Sequence, residues 1–424
     1  MTHRGSKAVA IIAAAFAVLA ITACSPVEEA PATQPLVRVP ADASLAEAGD
    51  LVAEGGIILI AAGTYTDTLE VQADDVTVRG EDRNAVILDG ELTRSNGVVG
   101  TGERVTVENL TVRNFLQNGV LITGVTDENG AGVARGPDGY LPDQTPPPVP
   151  GYLVQFVTAE NNGLYGIYAF NRTDGVIRDN LASGGSDSGI YVGQCEQCAA
   201  LVQDNVVTFN ASGVELANAS GVVITGNRIV HNRIGISVLS NYLEAHGPTR
   251  GVRIIGNLIA DNDEPQTPAQ AGGAFGVGVG LGGTVDAEVR ANTISGNDAV
   301  GVWITSSEDF APTDNRVAQN AWGENGIDVA MAANDLVPGS GNCLESSSPL
   351  VTSPAGITGC VLTSAPFVQA PAPKGLIFSR VPIPAQRAGL ADVDEVPRTL
   401  PSVVEMPSLD GILPPSADFL GDAG

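Results

Sequence analysis

The chain has 424 residues and a formal net charge of −27, from 21 basic and 48 acidic residues. So acidic a balance repels polyphosphate and argues against nucleic acid, or any polyanion, as a direct partner. Five cysteines and only 4% aromatic residues fit a chain that works outside the reducing cytoplasm.

Met1 to Ala23 has the layout of an export signal: Arg4 and Lys7, then the apolar run from Ala8 to Ala20, too short for a permanent membrane span. It ends in Ile21-Thr22-Ala23-Cys24, which resembles the bacterial lipobox. That resemblance implies cleavage before Cys24 and lipidation at this residue. With Ser25 next, it implies an outer-membrane lipoprotein facing the periplasm or the cell surface, held to the membrane through its N-terminal lipid. Residues 24–40 are rich in Pro, Ala and Glu and read as a lipidated tether. Ser44 and Glu47 form a capping-box pattern that opens a short helix to about Ala53. The strand Ile57 to Ala61 follows, so the helix is the expected cap over the first exposed layer of what comes next.

From Gly119 onward one phrase recurs: a glycine, a small β-former, a variable residue and another apolar residue. Examples are Gly119-Val120-Leu121-Ile122, Gly189-Ile190-Tyr191-Val192 and Gly301-Val302-Trp303-Ile304. Eight such segments, most about 22 to 25 residues apart, signal a solenoid. Two asparagines five apart precede most of the glycines, among them Asn205/Asn210, Asn227/Asn232 and Asn315/Asn320; Asn161 and Asn180 each fill one such position in their own turns. Asparagine tolerates the left-handed conformation of sharp corners, and stacked amides hydrogen-bond from turn to turn. With no helical period, the expected fold is all-β: a right-handed single-stranded parallel β-helix with a short N-terminal capping helix and an irregular Pro-rich C-terminal tail. Eight turns at about 4.8 Å give a rod roughly 38 Å long. The expected division is 1–23 signal peptide, 24–40 tether, 41–335 parallel β-helix, 336–365 disulfide-linked end segment and 366–424 Pro-rich tail. Insertions at 125–151, 242–249 and 263–273 interrupt the repeat, where function often sits.

With Cys24 set aside, four cysteines allow three pairings. Local pairs, Cys195 with Cys198 and Cys343 with Cys360, are the simplest. The Cys-x-x-Cys could instead be redox-active or bind metal, but no βαβ pattern surrounds it and the mature chain has only His231 and His246, so neither metal nor cofactor is expected.

The residue two places after each glycine forms one outward row: Leu121, Tyr168, Tyr191, Glu215, Ser237, a glycine, Trp303 and Asp328. No arginine stands in it. Glu215 and Asp328 lie four turns apart, about 19 Å, against the roughly 5 to 9.5 Å that paired glycosidase carboxylates need. Aromatic rings beside carboxylates suit an extended sugar chain, so the candidate binding residues are Tyr168, Tyr191, Glu215 and Trp303, with Asp187 beside them.

The segments Gly163-Leu164-Tyr165-Gly166-Ile167-Tyr168 and Ser186-Asp187-Ser188-Gly189-Ile190-Tyr191-Val192-Gly193-Gln194 resemble a family of exported bacterial β-helix lipoproteins of unassigned function. More broadly, residues 36 to 340 are similar to the repeat-containing branch of the pectate-lyase-like superfamily, whose repeats also occur in carbohydrate-active and periplasmic copper-maturation proteins. The resemblance implies the fold and leaves the activity open. The aspartate cluster and arginine base of pectate lyases and the Asp-Pro-His signature of alginate epimerases are both missing from the row. The expectation is therefore a non-catalytic envelope lipoprotein whose rod binds a polysaccharide or an envelope protein. The alternative is a polysaccharide lyase or epimerase with its site near Asp187, Tyr191 and Glu215.

Overall fold

The computed structural model describes residues 32–127, 132–133, 145–269, 273–360 and 363–421. The expected signal peptide and Cys24 lie outside the described residues, as does most of the 125–151 insertion. Three parallel sheets of 12, 11 and 10 strands run the length of the molecule, called here sheets 1, 2 and 3. Each turn of chain visits them in order. One turn, for example, places Ala200–Gln203 in sheet 1, Val206–Thr208 in sheet 3 and Ser212–Ala219 in sheet 2.

Alternation along each strand explains the architecture. In sheet 1, Val78, Val107, Val154, Ile177, Val202 and Ile224 share one inward register and are all fully buried. One turn cannot bury such a stripe alone; stacking joins the stripes into a continuous core. The rod starts earlier than expected, at Gln34–Val39, and its last sheet strand is Thr352–Ser353. The tether thus shortens at its C-terminal end, and the twelve strands of sheet 1 make a rod about 53 Å long. Extra strands lie at both ends: Leu69–Val71 and Asn96–Gly100 before the Gly119 strand of sheet 2, and Thr352–Ser353 after the last glycine phrase.

The helix α1 (Leu45–Leu51) buries Leu45 and Ala48, and the Ser44 backbone N–H donates to Glu47 Oε2 at 3.1 Å. It lies against the outermost strand of sheet 2: a Cβ on Gly49 would stand 1.7 Å from the Glu70 carbonyl oxygen. This is the expected cap, and the strand it covers lies two sheet 2 strands before the first glycine phrase.

The asparagines form two hydrogen-bonded columns. In one, the Nδ2 groups of Asn180, Asn205, Asn227, Asn257 and Asn292 each donate to the Oδ1 of the next member, ending at Asn320, over 2.9 to 3.1 Å. In the other, Asn210, Asn232, Asn262 and Asn297 do the same, ending at Asn325. Two details differ from the sequence reading. The last pair is Asn320/Asn325, while Asn315 belongs to a short separate column with Asn342; likewise Asn162, not Asn161, bonds to the backbone of the adjacent turn. And the left-handed residue at each corner stands just before the ladder asparagine: Asp204, Gly226, Gly256, Ala291 and Gln319 in the first column. The corner residue turns the chain, so the following amide can point inward along the rod.

Cys195 and Cys198 are bonded and fully buried where the chain passes from sheet 2 to sheet 1, and Cys343 is bonded to Cys360 at the end of the rod. Beyond that bond the Pro-rich tail is an ordered strap over the described residues. It starts at the Phe367–Trp303 contact. The Ala388 carbonyl accepts from Arg83, and the Asp394 carbonyl from Arg79. Near the N-terminal end, Glu395 pairs with Arg38. There the strap reverses: the Leu409 carbonyl accepts from Arg290 and the Ala417 carbonyl from Arg228. The strap lies over the outer faces of sheets 1 and 3. It leaves most of sheet 2 uncovered, touching it at Phe367 against Trp303.

Candidate functional site

The outward row of sheet 2 follows from strand register: Val99, Leu121, Tyr168, Tyr191, Glu215, Ser237, Gly280, Trp303 and Ala330 are consecutive partners. Asp328, expected in this row, lies two residues before Ala330. It is buried, accepts from Asn325 Nδ2 at 3.1 Å, and takes the Val351 backbone N–H at 2.9 Å.

The first half of the row is covered. Tyr168 is 2% exposed and Tyr191 1%. Tyr165 and Tyr168 stack at 4.4 Å, with Tyr191 tilted against both and Phe170 beyond. Val125 and Val133, which border the long insertion, pack on this cluster with Leu164 and Leu239. The Tyr191 hydroxyl donates to Glu244, itself buried, from the 242–249 insertion. Burial first, and then the Glu244 carboxylate, push the Tyr191 phenol well above its ordinary range. Tyr168 and Tyr191 therefore do not present rings to solvent as the sequence reading expected. Large rings on adjacent turns gain more from an apolar cover than from water. Asp187 accepts from the Tyr165 hydroxyl at 3.1 Å and flanks the stack without joining the row. Glu244 was not singled out from the sequence; its only signal was its place in an insertion.

The second half of the row is open. Glu215, Ser237, Gly280 and Trp303 stand on four successive strands and all are half-buried. Glu215 accepts from the Ser188 hydroxyl. Gly280 opens the floor: an added Cβ there would meet only one atom within 4 Å, the Ile236 carbonyl oxygen at 3.9 Å. Trp303 meets Phe367 edge to face, ring centroids 5.2 Å apart, and its Nε1 takes no hydrogen bond among the described residues. At one edge, Tyr242 is exposed, lies tilted against Phe310 with ring centroids 4.8 Å apart and donates to Asp309 at 2.6 Å. At the other, Phe275, Asp298, Ile327 and Phe367 line a cleft of about 370 Å³. There Asp263 is pushed up to about 6 by burial and by the Asp298 carboxyl beside it. The four strands and the loops 240–249, 261–276, 296–299 and 306–311 that border them contain no lysine or arginine. The open strip is thus a half-apolar, acidic trough with one aromatic ring at its end. Of the residues expected to bind, the structure brings Glu215 and Trp303 into it and places Tyr168, Tyr191 and Asp187 under or beside the cover.

The family described as "Periplasmic copper-binding protein (NosD)" matches residues 73–266, and that described as "Right handed beta helix region" matches residues 196–365. Among solved structures, the chain is similar to the A-module of the Azotobacter vinelandii mannuronan C-5 epimerase AlgE4. Identity is 15% over 69% of this chain and 91% of that one, with a TM-score of 0.44. It is also similar to pectate lyase Pel9A, 15% identical over 74% and 75% of the two chains, TM-score 0.45. A third is the Dettilon tailspike protein, 14% identical over 69% and 60%, TM-score 0.47. At these scores the structural likenesses assign no activity. No curated protein matches the sequence. The copper in the first family's description finds no fitting donor set among the described residues. All four described cysteines are in disulfides, His231 lies against Phe209, His246 is in the 242–249 insertion, and no three His, Cys, Asp or Glu converge among the described residues. The two family matches, which together run from residue 73 to 365, and the stacked parallel sheets show that this chain folds as a right-handed parallel β-helix.

Proposed function

We propose that this protein is a non-catalytic envelope lipoprotein that binds an extended, uncharged glycan along the open half of sheet 2. The observation that carries the reading is the run Glu215, Ser237, Gly280 and Trp303 on consecutive strands, half-buried between two covered stretches of the same row. Strands repeat about every 4.8 Å, so the run offers polar and apolar contacts at a regular spacing to a chain lying along the rod. The Trp303 ring has an apolar face for a sugar ring, and Glu215 and Ser237 have oxygens for hydroxyl groups. The carboxylates of Glu215, Asp298 and Asp309 disfavour acidic polysaccharides, although Arg233 stands at one edge, its guanidinium 5.2 Å from the centre of the Phe275 ring. The envelope location and the lipid on Cys24 are supported by the lipobox-like ending of the apolar N-terminal run and by the word periplasmic in the family description.

The test is binding of the purified protein to a panel of neutral and acidic glycans by calorimetry, with Trp303→Ala and Glu215→Gln beside the parent. A neutral glycan is expected to bind, and Trp303→Ala to weaken it about tenfold, the equivalent of about 1.4 kcal/mol. Absence of binding across the panel, or binding that neither substitution alters, overturns the reading. Release of an unsaturated or epimerised sugar would favour the enzyme instead.

A further inference from the structure

The strap is held mainly through its own backbone. Arg83 donates to the Ala388 carbonyl at 3.0 Å, Arg233 to the Pro373 carbonyl at 2.9 Å, Arg228 to the Ala417 carbonyl at 2.9 Å and Arg290 to the Leu409 carbonyl at 2.9 Å. In the opposite sense, Asn109 Oδ1 accepts the Leu390 N–H at 2.8 Å and Asp174 Oδ1 the Val404 N–H at 3.4 Å. Arg83, Arg228 and Arg233 are each at most 9% exposed, so the rod keeps buried guanidinium groups aimed at main-chain oxygens of a segment far away in sequence. A guanidinium has five donors in a rigid fork and suits this role. The surface reads an extended backbone more than particular side chains. Ten prolines between residues 366 and 421 hold such a segment extended before it docks, which lowers the entropy lost on binding.

The strap also contributes little to the core. Val381 is its one fully buried hydrophobic residue among the described residues, whereas the ladder hydrogen bonds of the three sheets lie within the rod. Segments with few buried apolar contacts open at free energies well below that of global unfolding. The Cys343–Cys360 bond ties the chain to the last turn just before the strap begins, so opening stops there and leaves the rod intact.

We propose that this backbone-reading groove is shared between copies of the chain: the strap of one copy, residues 366–421, lies on the rod of another and joins the two. A second copy's strap fits without a new contact, because it makes the same bonds, which is the condition for exchange of an identical element. Most of the groove lies on sheets 1 and 3; only the start of the strap, Phe367, meets the glycan trough at Trp303, and the cross-link at residues 174 and 404 is read away from that contact.

Cross-linking of the full chain tests it, in a Cys24→Ala background. Asp174→Cys and Val404→Cys are prepared as separate proteins and as one double variant. The separate variants, mixed and oxidised, are expected to give disulfide-linked dimers on non-reducing gels. These should form several-fold faster than with Asp335→Cys, on an exposed loop, in place of Asp174→Cys. The double variant is expected to close its bond within one chain when dilute. No excess of dimer over the Asp335→Cys control, with the double variant closing fully, overturns exchange. Failure of the double variant to close overturns the docked strap itself, and the proposal with it.

Discussion

Arg398 Nε donates to Glu108 Oε2 at 3.0 Å across 290 residues of chain. Glu108 is fully buried and also accepts from Arg79 Nε at 2.6 Å and from Gln155 Nε2 at 2.5 Å. One carboxylate thus joins the first turns of the rod to the reversal of the strap. Because the Arg79 side chain is only 2% exposed and that of Arg398 is 40% exposed, the two bonds differ in weight.

Glu108→Ala is expected to destabilise the chain by about 3 to 5 kcal/mol, because it leaves a buried guanidinium with one exposed partner, Asp394. Arg398→Ala is expected to shift stability by about 1 kcal/mol or less. It should still speed limited proteolysis near residues 390–400. Chemical denaturation midpoints and a protease time course check the two halves of this expectation.

Removing a rung from the middle of the ladder acts on two turns. Asn227 Oδ1 accepts both the backbone N–H and the Nδ2 of Asn205. Asn227→Ala leaves the buried Asn205 backbone N–H without its acceptor, reduces the Asn205 Nδ2 to its bond with the Ile177 carbonyl, and should destabilise by about 2 to 3 kcal/mol. Asn320→Ala, at the half-exposed end of the same column, lets water replace the lost acceptor and should lower the denaturation midpoint less.

Gly175 makes room for a ring. A Cβ there would lie 1.8 Å from Cζ of the buried Tyr152. Gly175→Ala should lower the thermal midpoint sharply, and Tyr152→Leu in the same chain should recover part of the loss. A double-mutant cycle that shows simple additivity would contradict this packing.

Asp263 gives a pH signature. Its folded-state value of about 6 lies above the ordinary 3.8. The folded state therefore prefers the protonated form: the stabilising contribution is complete below about pH 3.8 and is lost as pH rises through 6. Asp263→Asn should be more stable relative to the parent at pH 7 than at pH 4. Glu160, Asp179 and Asp204, raised by burial, add to the parent's slope but cancel in this comparison.

Much of the rod was legible because each of its devices is local and repeated. The glycine phrase marks a sheet 2 strand in each turn from Gly119 to Gly301, and it numbers the register of Tyr168, Tyr191, Glu215 and Trp303; the Gly326 phrase stands two residues out of register, which misplaced Asp328. The first two sheet 2 strands escaped the count because Leu69–Val71 lacks the glycine phrase and Gly97-Val98-Val99 ends in Gly100 where the phrase has an apolar residue. The Asn320/Asn325 rung was misassigned because a third asparagine, Asn315, has the same spacing one step earlier.

By itself the sequence determined the solenoid, its three-strand turns, the capping helix and the outward row, since all of these follow from periods that any stacked copy of the repeat must obey. Tertiary structure alone decided which part of that row meets solvent. The cover over Tyr168 and Tyr191 comes from insertions outside the repeat, and the strap comes from residues more than 100 positions away from most of the arginines that hold it. Exposure depends on what packs on a surface from elsewhere in the chain, and no periodicity encodes that.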